Sequence, residues 1–197
     1  MYVTGVILAA GGSRRLGAPK QLLPYGGSTL LGASIERARR CRLDQLVVAL
    51  GASSQEIRAR VDLGGTEVVE NPSFGEGCSS SIRTALERVD RRADGIVLLL
   101  GDQPEVDPAA VRRLVEEASG SPLGVCRYDD GLGHPFWIHR RLFDAVHSLH
   151  GDKAIWKLVD SGRHRVTEID VRGPLPRDVD TWEEYERLLE SSPGSPG

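Results

Sequence analysis

Apolar, β-branched runs alternate along this chain with segments of helical periodicity. We predict strands at Val3–Ala10, Gln45–Leu50, Glu67–Val69, Gly95–Leu100 and Leu123–Cys126. The segments between these runs predict helices at about Thr29–Cys41, Ser54–Val61, Ser79–Val89 and Pro108–Ala118. This alternation is typical of a three-layer α/β/α fold with a mostly parallel sheet. In such sheets, ligands bind at the carboxyl ends of the strands.

The regular alternation stops after Cys126. Residues 127–133 form a polar, turn-rich segment, and beyond it we predict a short strand at 135–138, helices near 140–148 and 153–161, and a strand at 165–170. We interpret residues 127–163 as an insertion that holds a second substrate, within a single domain of residues 1–190. The tail, residues 191–197, has no apolar anchor and is predicted to be disordered.

Composition excludes several classes of protein. With 197 residues, 27% charged residues and a net charge of −3, the chain resembles an ordinary globular protein and is less basic than most nucleic-acid binders. The apolar runs are too short to span a bilayer and no secretory signal is evident, so we expect no membrane contact and a cytoplasmic location. Cys41, Cys78 and Cys126 are widely spaced and odd in number, which argues against a disulfide framework and a zinc cluster.

The first predicted strand ends in a glycine-rich loop that carries three cations. Gly11 and Gly12 let backbone N–H groups approach anionic oxygens closely, while Arg14, Arg15 and Lys20 supply positive charge. An Arg can grip two phosphate oxygens at once, and a Lys acts as a point charge. The loop therefore predicts an enzyme that uses a nucleotide.

Two common glycine-rich motifs do not fit this loop. A P-loop requires Lys-Ser or Lys-Thr directly after its last glycine, but Gly17 is followed by Ala18 and Pro19. A dinucleotide fingerprint requires Gly-x-Gly-x-x-Gly at the start of a helix, which the residues after Gly11 do not supply.

Acidic residues follow the strand at residues 95–100 and recur near the C-terminus. Asp102 stands where an apolar strand meets solvent, and it either shapes the turn before Pro104 or binds a hard cation such as Mg²⁺. In the segment from Asp178 to Thr181, Asp180 or Thr181 could instead cap a short helix.

The loop resembles the signature L-A-A-G-x-S-x-R-x-G-x-x-K of the MobA-like nucleotidyltransferases, which have a glycosyltransferase-A-like fold. The matching residues are Leu8, Ala9, Ala10, Gly11, Arg15, Gly17 and Lys20. The resemblance implies that Arg15 and Lys20 contact the triphosphate and that Asp102, in a G-D-x-P element, binds Mg²⁺. It implies Asp180, in a D-x-D-T element, as the second metal ligand, with Asp178 as the alternative. Lys20, Arg15 and Asp102 are thus the predicted catalytic residues.

Two further groups of residues match elements of the same family. The segment from Asn71 to Ser81 resembles an element that helps to recognise the nucleobase. The predicted nucleotide-binding residues are therefore Leu8, Ala9, Ala10, Gly11, Gly12, Ser13, Arg15, Lys20, Gly77, Ser79, Ser80 and Asp102. The motifs Gly133-His134-Pro135 and Gly151-Asp152-Lys153 resemble the acceptor pocket of the molybdopterin cytidylyltransferase branch. The chain departs from that branch at Ala154-Ile155-Trp156, where Gly-Ala-Arg is more usual.

The resemblance implies transfer of CMP from CTP to molybdopterin, with release of pyrophosphate. GMP transfer from GTP to molybdenum cofactor, or to another phosphorylated metabolite such as phospholactate, is an alternative. A non-catalytic protein that delivers a nucleotide or cofactor is a third interpretation. The expected partners are the nucleoside triphosphate, the phosphorylated acceptor and a recipient molybdoenzyme or its chaperone, and we expect a monomer.

Overall fold

The predicted alternation of strands and helices is confirmed in a computed structural model that describes residues 1–13 and 15–191. The strands are β1 (Val3–Ala9), β2 (Pro24–Tyr25), β3 (Ser28–Thr29), β4 (Gln45–Leu50), β5 (Glu67–Glu70), β6 (Gly95–Leu100), β7 (Leu123–Tyr128), β8 (Gly131–His139) and β9 (Val166–Asp170). The helices are α1 (Leu30–Arg39), α2 (Ser54–Arg60), α3 (Cys78–Leu86), α4 (Pro108–Ala118), α5 (Phe143–His147), α6 (Ala154–Asp160) and α7 (Trp182–Ser191). Short 3-10 turns lie at Lys20–Leu22, Phe74–Glu76 and Arg140–Leu142.

Two sequence predictions concern residues outside the described ranges. Arg14, one of the three loop cations, is among them. The tail predicted to be disordered begins at Ser191, but this residue ends α7, and residues 192–197 lie outside the described residues.

The central sheet brings the ends of β1 and β6 together. Among the described residues its seven strands follow the order β5-β4-β1-β6-β8-β7-β9. Strand β1 pairs in parallel with β4 on one side and β6 on the other, and β8 is antiparallel to both of its neighbours. The loops that follow β1 and β6 therefore leave the same edge of the sheet side by side, as predicted.

Alternating side chains of the central strands pack against helices on both faces. In β1, Ile7 belongs to one buried cluster, with residues of α1 and α4, while Val6 and Leu8 belong to the other, with residues of α3, α5 and α6. Since both faces are covered, nearly every position of β1, β4 and β6 is apolar. This explains the continuous hydrophobic runs in the sequence.

The prediction of an irregular segment at residues 127–133 is wrong. Strands β7 and β8 form a hairpin whose turn is Asp129-Asp130, and the pairing extends from Tyr128–Gly131 to Leu123–Ile138. Strand β8 then inserts between β7 and β6, so the start of the region interpreted as an insertion belongs to the central sheet. The polar and glycine residues of this tight hairpin gave a turn signal that concealed its strands, and the pairing of β8 with β6 joins residues about 40 positions apart.

The last helix anchors the segment that carries the C-terminal carboxylates. Leu16, Leu30, Val179, Tyr185 and Leu188 belong to a third buried cluster, and the Tyr185 hydroxyl donates a hydrogen bond of 2.5 Å to the carbonyl of Pro24. Residues between β9 and α7 have no regular secondary structure, so this packing holds them beside the loop that follows β1.

The three cysteines are free thiols, and Cys41 and Cys126 are buried. Burial raises the pKa of both to about 12, so they are protonated at neutral pH. None of the helices in residues 1–13 and 15–191 is long and apolar enough to cross a membrane.

Candidate functional site

The glycine-rich loop after β1 is held in shape by its own side chains. The Gln21 amide donates hydrogen bonds of 2.9 Å to the carbonyls of Ala9 and Gly11, and Ser13 Oγ accepts one of 2.9 Å from the backbone N–H of Lys20. These contacts fold the 3-10 turn back against the end of β1. Lys20 is thereby fixed at the carboxyl edge of the sheet.

Lys20 lies between two carboxylates from distant parts of the chain. Its Nζ is 2.6 Å from Asp102 Oδ2 and 2.8 Å from Asp180 Oδ1. Arg15 adds a second cation, 2.6 Å from Asp180 Oδ2. The four side chains predicted to hold phosphates and metal are therefore in direct contact.

Different elements position the two carboxylates. Asp102 directly follows Gly101 at the end of β6, and its Oδ2 accepts a hydrogen bond of 3.3 Å from the backbone N–H of Val179. Asp180 precedes α7, where Glu184 Oε2 accepts from the backbone N–H groups of Asp180 and Thr181 at 2.8 and 2.9 Å. Thr181 Oγ1 accepts in return from Glu184 N–H at 3.2 Å. This is a capping box, so Thr181 caps the helix and the Asp180 side chain is available to Lys20 and Arg15.

Sequence reasoning missed Gln103, which lies next to Asp102. Its buried amide donates hydrogen bonds to the carbonyl of Pro176 at 3.0 Å and to Asp178 Oδ1 at 2.7 Å. It joins the loop after β6 to the irregular C-terminal segment. Asp178 lines the cavity too, but its contact is with Gln103, whereas Asp180 contacts both cations.

The ion pairs change the pKa values of their members. Burial favours the neutral amine of Lys20, but Asp102 and then Asp180 outweigh it, so the pKa of Lys20 is raised. Partial burial acts against ionisation of Asp180, yet the Lys20 and Arg15 cations hold its pKa below the usual value. Loss of hydration and the nearby Asp102 raise the pKa of Asp178.

The carboxylate pair fits a divalent cation. The Lys20 ammonium is itself a cation within hydrogen-bond distance of one oxygen from Asp102 and one from Asp180, so the fold already accepts positive charge between them. Hard carboxylate oxygens are ligands that Mg²⁺ prefers, with water and phosphate oxygens in its other positions. Across residues 1–13 and 15–191 no group of three or more His, Cys, Asp or Glu side chains is arranged to hold a metal.

Lys20, Asp102 and Asp180 line a cavity of about 400 Å³. Eleven of the predicted site residues line it: Leu8, Ala9, Ala10, Gly11, Lys20, Gly77, Asp102, His134, Asp152, Lys153 and Asp180. The cavity lining does not include Gly12, Ser13, Arg15, Ser79, Ser80, Gly133, Pro135 and Gly151. The structure thus brings part of each predicted group together around one space.

The start of α3 packs against the turn before α6. Asp152 Oδ1 accepts a hydrogen bond of 3.2 Å from the backbone N–H of Cys78, and the Gly151 carbonyl accepts one of 3.1 Å from Ser79. Asp152 therefore caps α3, not the helix that follows it. Gly77 has φ of 97°, and a Cβ there would lie 2.7 Å from Asp152 Oδ1 and 2.8 Å from the Gly151 carbonyl carbon. Only glycine fits this close approach without displacement.

Ser79 and Ser80 lie inside the first turn of α3 and do not cap it. The Ser80 hydroxyl donates to the carbonyls of Ser73 and Gly77 at 2.9 and 2.8 Å and accepts from the Asn71 amide at 2.8 Å. Ser79 is buried, and its hydroxyl has no hydrogen-bond partner among the described residues. The Ser80 hydroxyl thus holds together the loop that precedes α3.

The cavity also has an aromatic wall. The rings of His134 and Trp156 each meet Phe136 edge to face, with centroid distances of 4.7 and 5.0 Å, and Phe74 also lines the space. Burial lowers the pKa of His134 to about 4, so its imidazole is neutral at pH 7. Cys78 lines the cavity as well, and burial raises its pKa to about 11. Trp156 stands where the resembled branch more usually has Arg, and no pattern in the sequence indicates its place in the aromatic wall.

Comparisons with known proteins agree with the resemblance of the opening loop. Residues 5–166 match the MobA-like NTP transferase domain. The chain is 33% identical to nicotine blue oxidoreductase of Paenarthrobacter nicotinovorans and 32% identical to the purine catabolism protein PucB of Bacillus subtilis strain 168, each over 95% of this chain and 96% of the relative.

Two solved structures also match this chain over nearly its whole length. The crystal structure of Rv0371c from Mycobacterium tuberculosis H37Rv has a TM-score of 0.92 and 53% identity, over 96% of this chain and 98% of that one. A structure of Rv0371c in complex with manganese has a TM-score of 0.87 and 50% identity, over 98% of this chain and 100% of that one. The predicted family is confirmed: the chain belongs to the MobA-like nucleotidyltransferases.

Proposed function

We propose that this protein transfers a nucleoside monophosphate to a phosphorylated small-molecule acceptor such as molybdopterin. The favoured nucleoside monophosphate is CMP, taken from CTP. One observation carries the proposal. Two cations from the glycine-rich loop and two carboxylates from separate segments form one ion-pair network, and Lys20, Asp102 and Asp180 of this network line a cavity of about 400 Å³. A structural loop has no need for this combination, whereas a triphosphate with its metal requires both charges.

The nucleotide would bind along the carboxyl edge of β1. Lys20 and Arg15 would contact the triphosphate, with the Arg gripping two oxygens and the Lys following negative charge as it develops at the α-phosphate. Leu8, Ala9, Ala10 and Gly11 line the adjoining wall and would contact the nucleoside together with Gly77. Their backbone groups can recognise a base edge without any charge.

Asp102 and Asp180 would hold Mg²⁺, which supplies positive charge that neutralises the phosphate oxygens when it is bound. An oxygen of the acceptor phosphate would form the new bond to the α-phosphorus as the bond between the α- and β-phosphates breaks. Pyrophosphate leaves with that electron pair. The attacking oxygen is already anionic, so no general base and no covalent enzyme intermediate are needed, and the residues act by positioning and neutralisation.

The acceptor would occupy the part of the cavity that is lined by Phe136 and Trp156. The predicted contacts are Gly133, His134, Pro135, Gly151, Asp152 and Lys153. The Lys153 side chain supplies a cation that lines the same cavity, and Phe136 and Trp156 supply apolar surface for a ring. A cation together with apolar ring surface supports an acceptor that has a planar ring and one phosphate. The cytoplasmic location, the monomeric state and a recipient molybdoenzyme or its chaperone are part of the same proposal.

A second candidate follows from one relative and from the aromatic wall. The relative that is 33% identical is named nicotine blue oxidoreductase, so oxidation or reduction of an aromatic compound, which also needs a redox co-substrate, is the alternative activity. It predicts binding of such a compound at Phe136 and Trp156, without pyrophosphate release. GMP transfer from GTP and delivery of a nucleotide without catalysis are further candidate functions.

Magnesium-dependent release of pyrophosphate separates these functions. CTP, GTP, ATP and UTP are each assayed with and without molybdopterin. Release from CTP only in the presence of molybdopterin is the expected result. Release from GTP would replace CMP by GMP in the proposal, and nucleotide binding without release from any combination would contradict transfer to molybdopterin.

A further inference from the structure

The cations that we assign to the triphosphate are bound, in this structure, to the carboxylates that we assign to the metal. Lys20 Nζ contacts Asp102 at 2.6 Å and Asp180 at 2.8 Å, and Arg15 contacts the other oxygen of Asp180 at 2.6 Å. Lys20 thus occupies the position between the two carboxylates. A metal ion held by the same oxygens of Asp102 and Asp180 would have to displace the Lys20 ammonium.

Burial makes it costly to break these pairs one side at a time. The side chains of Lys20 and Asp102 are 16% and 9% exposed. A nucleotide that draws Lys20 to its phosphates without a metal leaves the Asp102 carboxylate buried and unpaired. A metal that binds Asp102 and Asp180 without a nucleotide likewise leaves the Lys20 ammonium buried and unpaired. Unpaired buried charges are strongly destabilising.

Arrival of both ligands removes this cost. The metal takes the two carboxylates, the phosphates take the two cations, and every charge has a partner before and after the exchange. We propose that this exchange of ion pairs makes the divalent metal and the nucleotide bind cooperatively, so that neither binds well alone. The coupling is reciprocal, because each ligand must raise the affinity of the other by the same factor. The inference rests on the proposed function for the identity of the two ligands.

The two pairs contribute unequally. The side chains of Arg15 and Asp180 are 67% and 40% exposed, and exposed ion pairs contribute little free energy because water screens them. The Lys20–Asp102 pair is enclosed and lies at the centre of the network. Lys20 therefore dominates the competition with the metal, and Arg15 adds a smaller part.

Binding of Mn²⁺ to the nucleotide-free protein tests the competition directly. The electron paramagnetic resonance signal of free Mn²⁺ gives the dissociation constant for the wild type and for Lys20→Met. Because the variant has no ammonium to displace, we expect Mn²⁺ to bind about tenfold more tightly, which corresponds to about 1.4 kcal/mol. A Lys20 that only stabilises the fold would give no gain in metal affinity.

Two further variants show whether the gain in Mn²⁺ affinity is specific to Lys20. Arg15→Met removes an exposed side chain, so the protein stays folded, and we expect a smaller gain of about threefold in Mn²⁺ affinity. Lys153→Met removes a cation that lines the same cavity, where it has no ion pair with Asp102 or Asp180 among the described residues. It should change Mn²⁺ affinity by less than about twofold, since Lys153 is exposed and water and salt screen its charge.

The nucleotide half uses α,β-methylene-CTP, titrated by calorimetry with and without Mn²⁺. In the wild type Mn²⁺ should strengthen nucleotide binding, and in Lys20→Met this enhancement should shrink. Unchanged or weaker Mn²⁺ binding by Lys20→Met, with pyrophosphate release intact in the wild type, would overturn the exchange and leave the proposed function standing. Tighter Mn²⁺ binding by the variant, with no pyrophosphate release by the wild type from any nucleotide, would support the competition and contradict the proposed function.

Discussion

Replacement of Gly77 by alanine tests the contact between the start of α3 and the turn at Gly151-Asp152. Gly77 has φ of 97° and ψ of 177°, a conformation that is essentially restricted to glycine and costs another residue about 1–3 kcal/mol. Its new Cβ would lie 2.8 Å from the Gly151 carbonyl carbon and 3.0 Å from Asp152 N, and backbone atoms cannot rotate away as a flexible side chain can.

The turn must therefore move, and its contacts with α3 must lengthen. These are the hydrogen bonds from Cys78 N–H to Asp152 and from Ser79 N–H to Gly151, of 3.2 and 3.1 Å. Each contributes about 0.5–1.5 kcal/mol. Together with the backbone strain, we expect the free energy of unfolding to fall by about 2–4 kcal/mol, or roughly 5–15 °C in melting temperature for a chain of this size.

Urea unfolding followed by circular dichroism measures this loss. Gly75→Ala is the matched control, because a Cβ at Gly75 meets no atom within 4 Å and its φ is not positive. It should change stability by less than about 0.5 kcal/mol. Equal unfolding midpoints for the two variants would refute the close approach of the turn to α3.

Three other predictions concern residues around the cavity. Gln103→Leu removes the hydrogen bond that holds Asp178 at 2.7 Å, and loss of alignment in this segment should slow pyrophosphate release about tenfold with little change in circular dichroism. The pKa of His134 is about 4 when folded and 6.5 when unfolded, so the unfolded state binds more protons between these values. Stability should therefore fall by up to about 3 kcal/mol as pH drops through this window, and His134→Gln should lose that component of the urea-unfolding profile. Glu184→Ala removes the acceptor for the N–H of Asp180 at 2.8 Å, and calorimetry should show a loss of about 1 kcal/mol.

Local patterns were enough to predict the main layers and one half of the site. Strands β1 and β6 are apolar runs followed by short polar loops, and parallel strands end at the same edge. The meeting of Lys20 with Asp102 follows from this geometry. The contact with Asp180 was expected from the family resemblance, because the sequence around it alone fits a helix cap equally well.

Features that depend on distant contacts could not be predicted. Strand β8 lies between β6 and β7 because Phe136, Trp137 and Ile138 find partners about 11 to 42 residues earlier in the chain, and its turn residues gave only a loop signal. Gln103 has no local pattern that distinguishes it from any polar residue beside a turn. Asp152 accepts a hydrogen bond from the first N–H of α3, a contact that the sequence does not indicate because only the tertiary fold brings the two segments together.

The sequence predicts that the loops of Lys20 and Asp102 lie side by side, but it did not predict the ion pair between the two side chains. The sequence motifs indicate a ligand for each side chain separately. They do not indicate which of these charges pair with each other when no ligand is bound. In the folded chain they are within 2.6 Å of each other, because a buried charge requires a partner. The same contact motivates the exchange proposed above.

Pyrophosphate release by Asp102→Asn tests the central claim most directly. The substitution keeps the shape of the side chain but removes the charge that we assign to the metal. Asp107→Asn, on the same loop, keeps an amide oxygen that can cap α4 and serves as the control. With CTP, Mg²⁺ and molybdopterin, we expect Asp107→Asn to match the wild type and Asp102→Asn to lose at least about a hundredfold in rate. Equal rates for Asp102→Asn and the wild type would contradict a nucleotidyl transfer centred on Asp102.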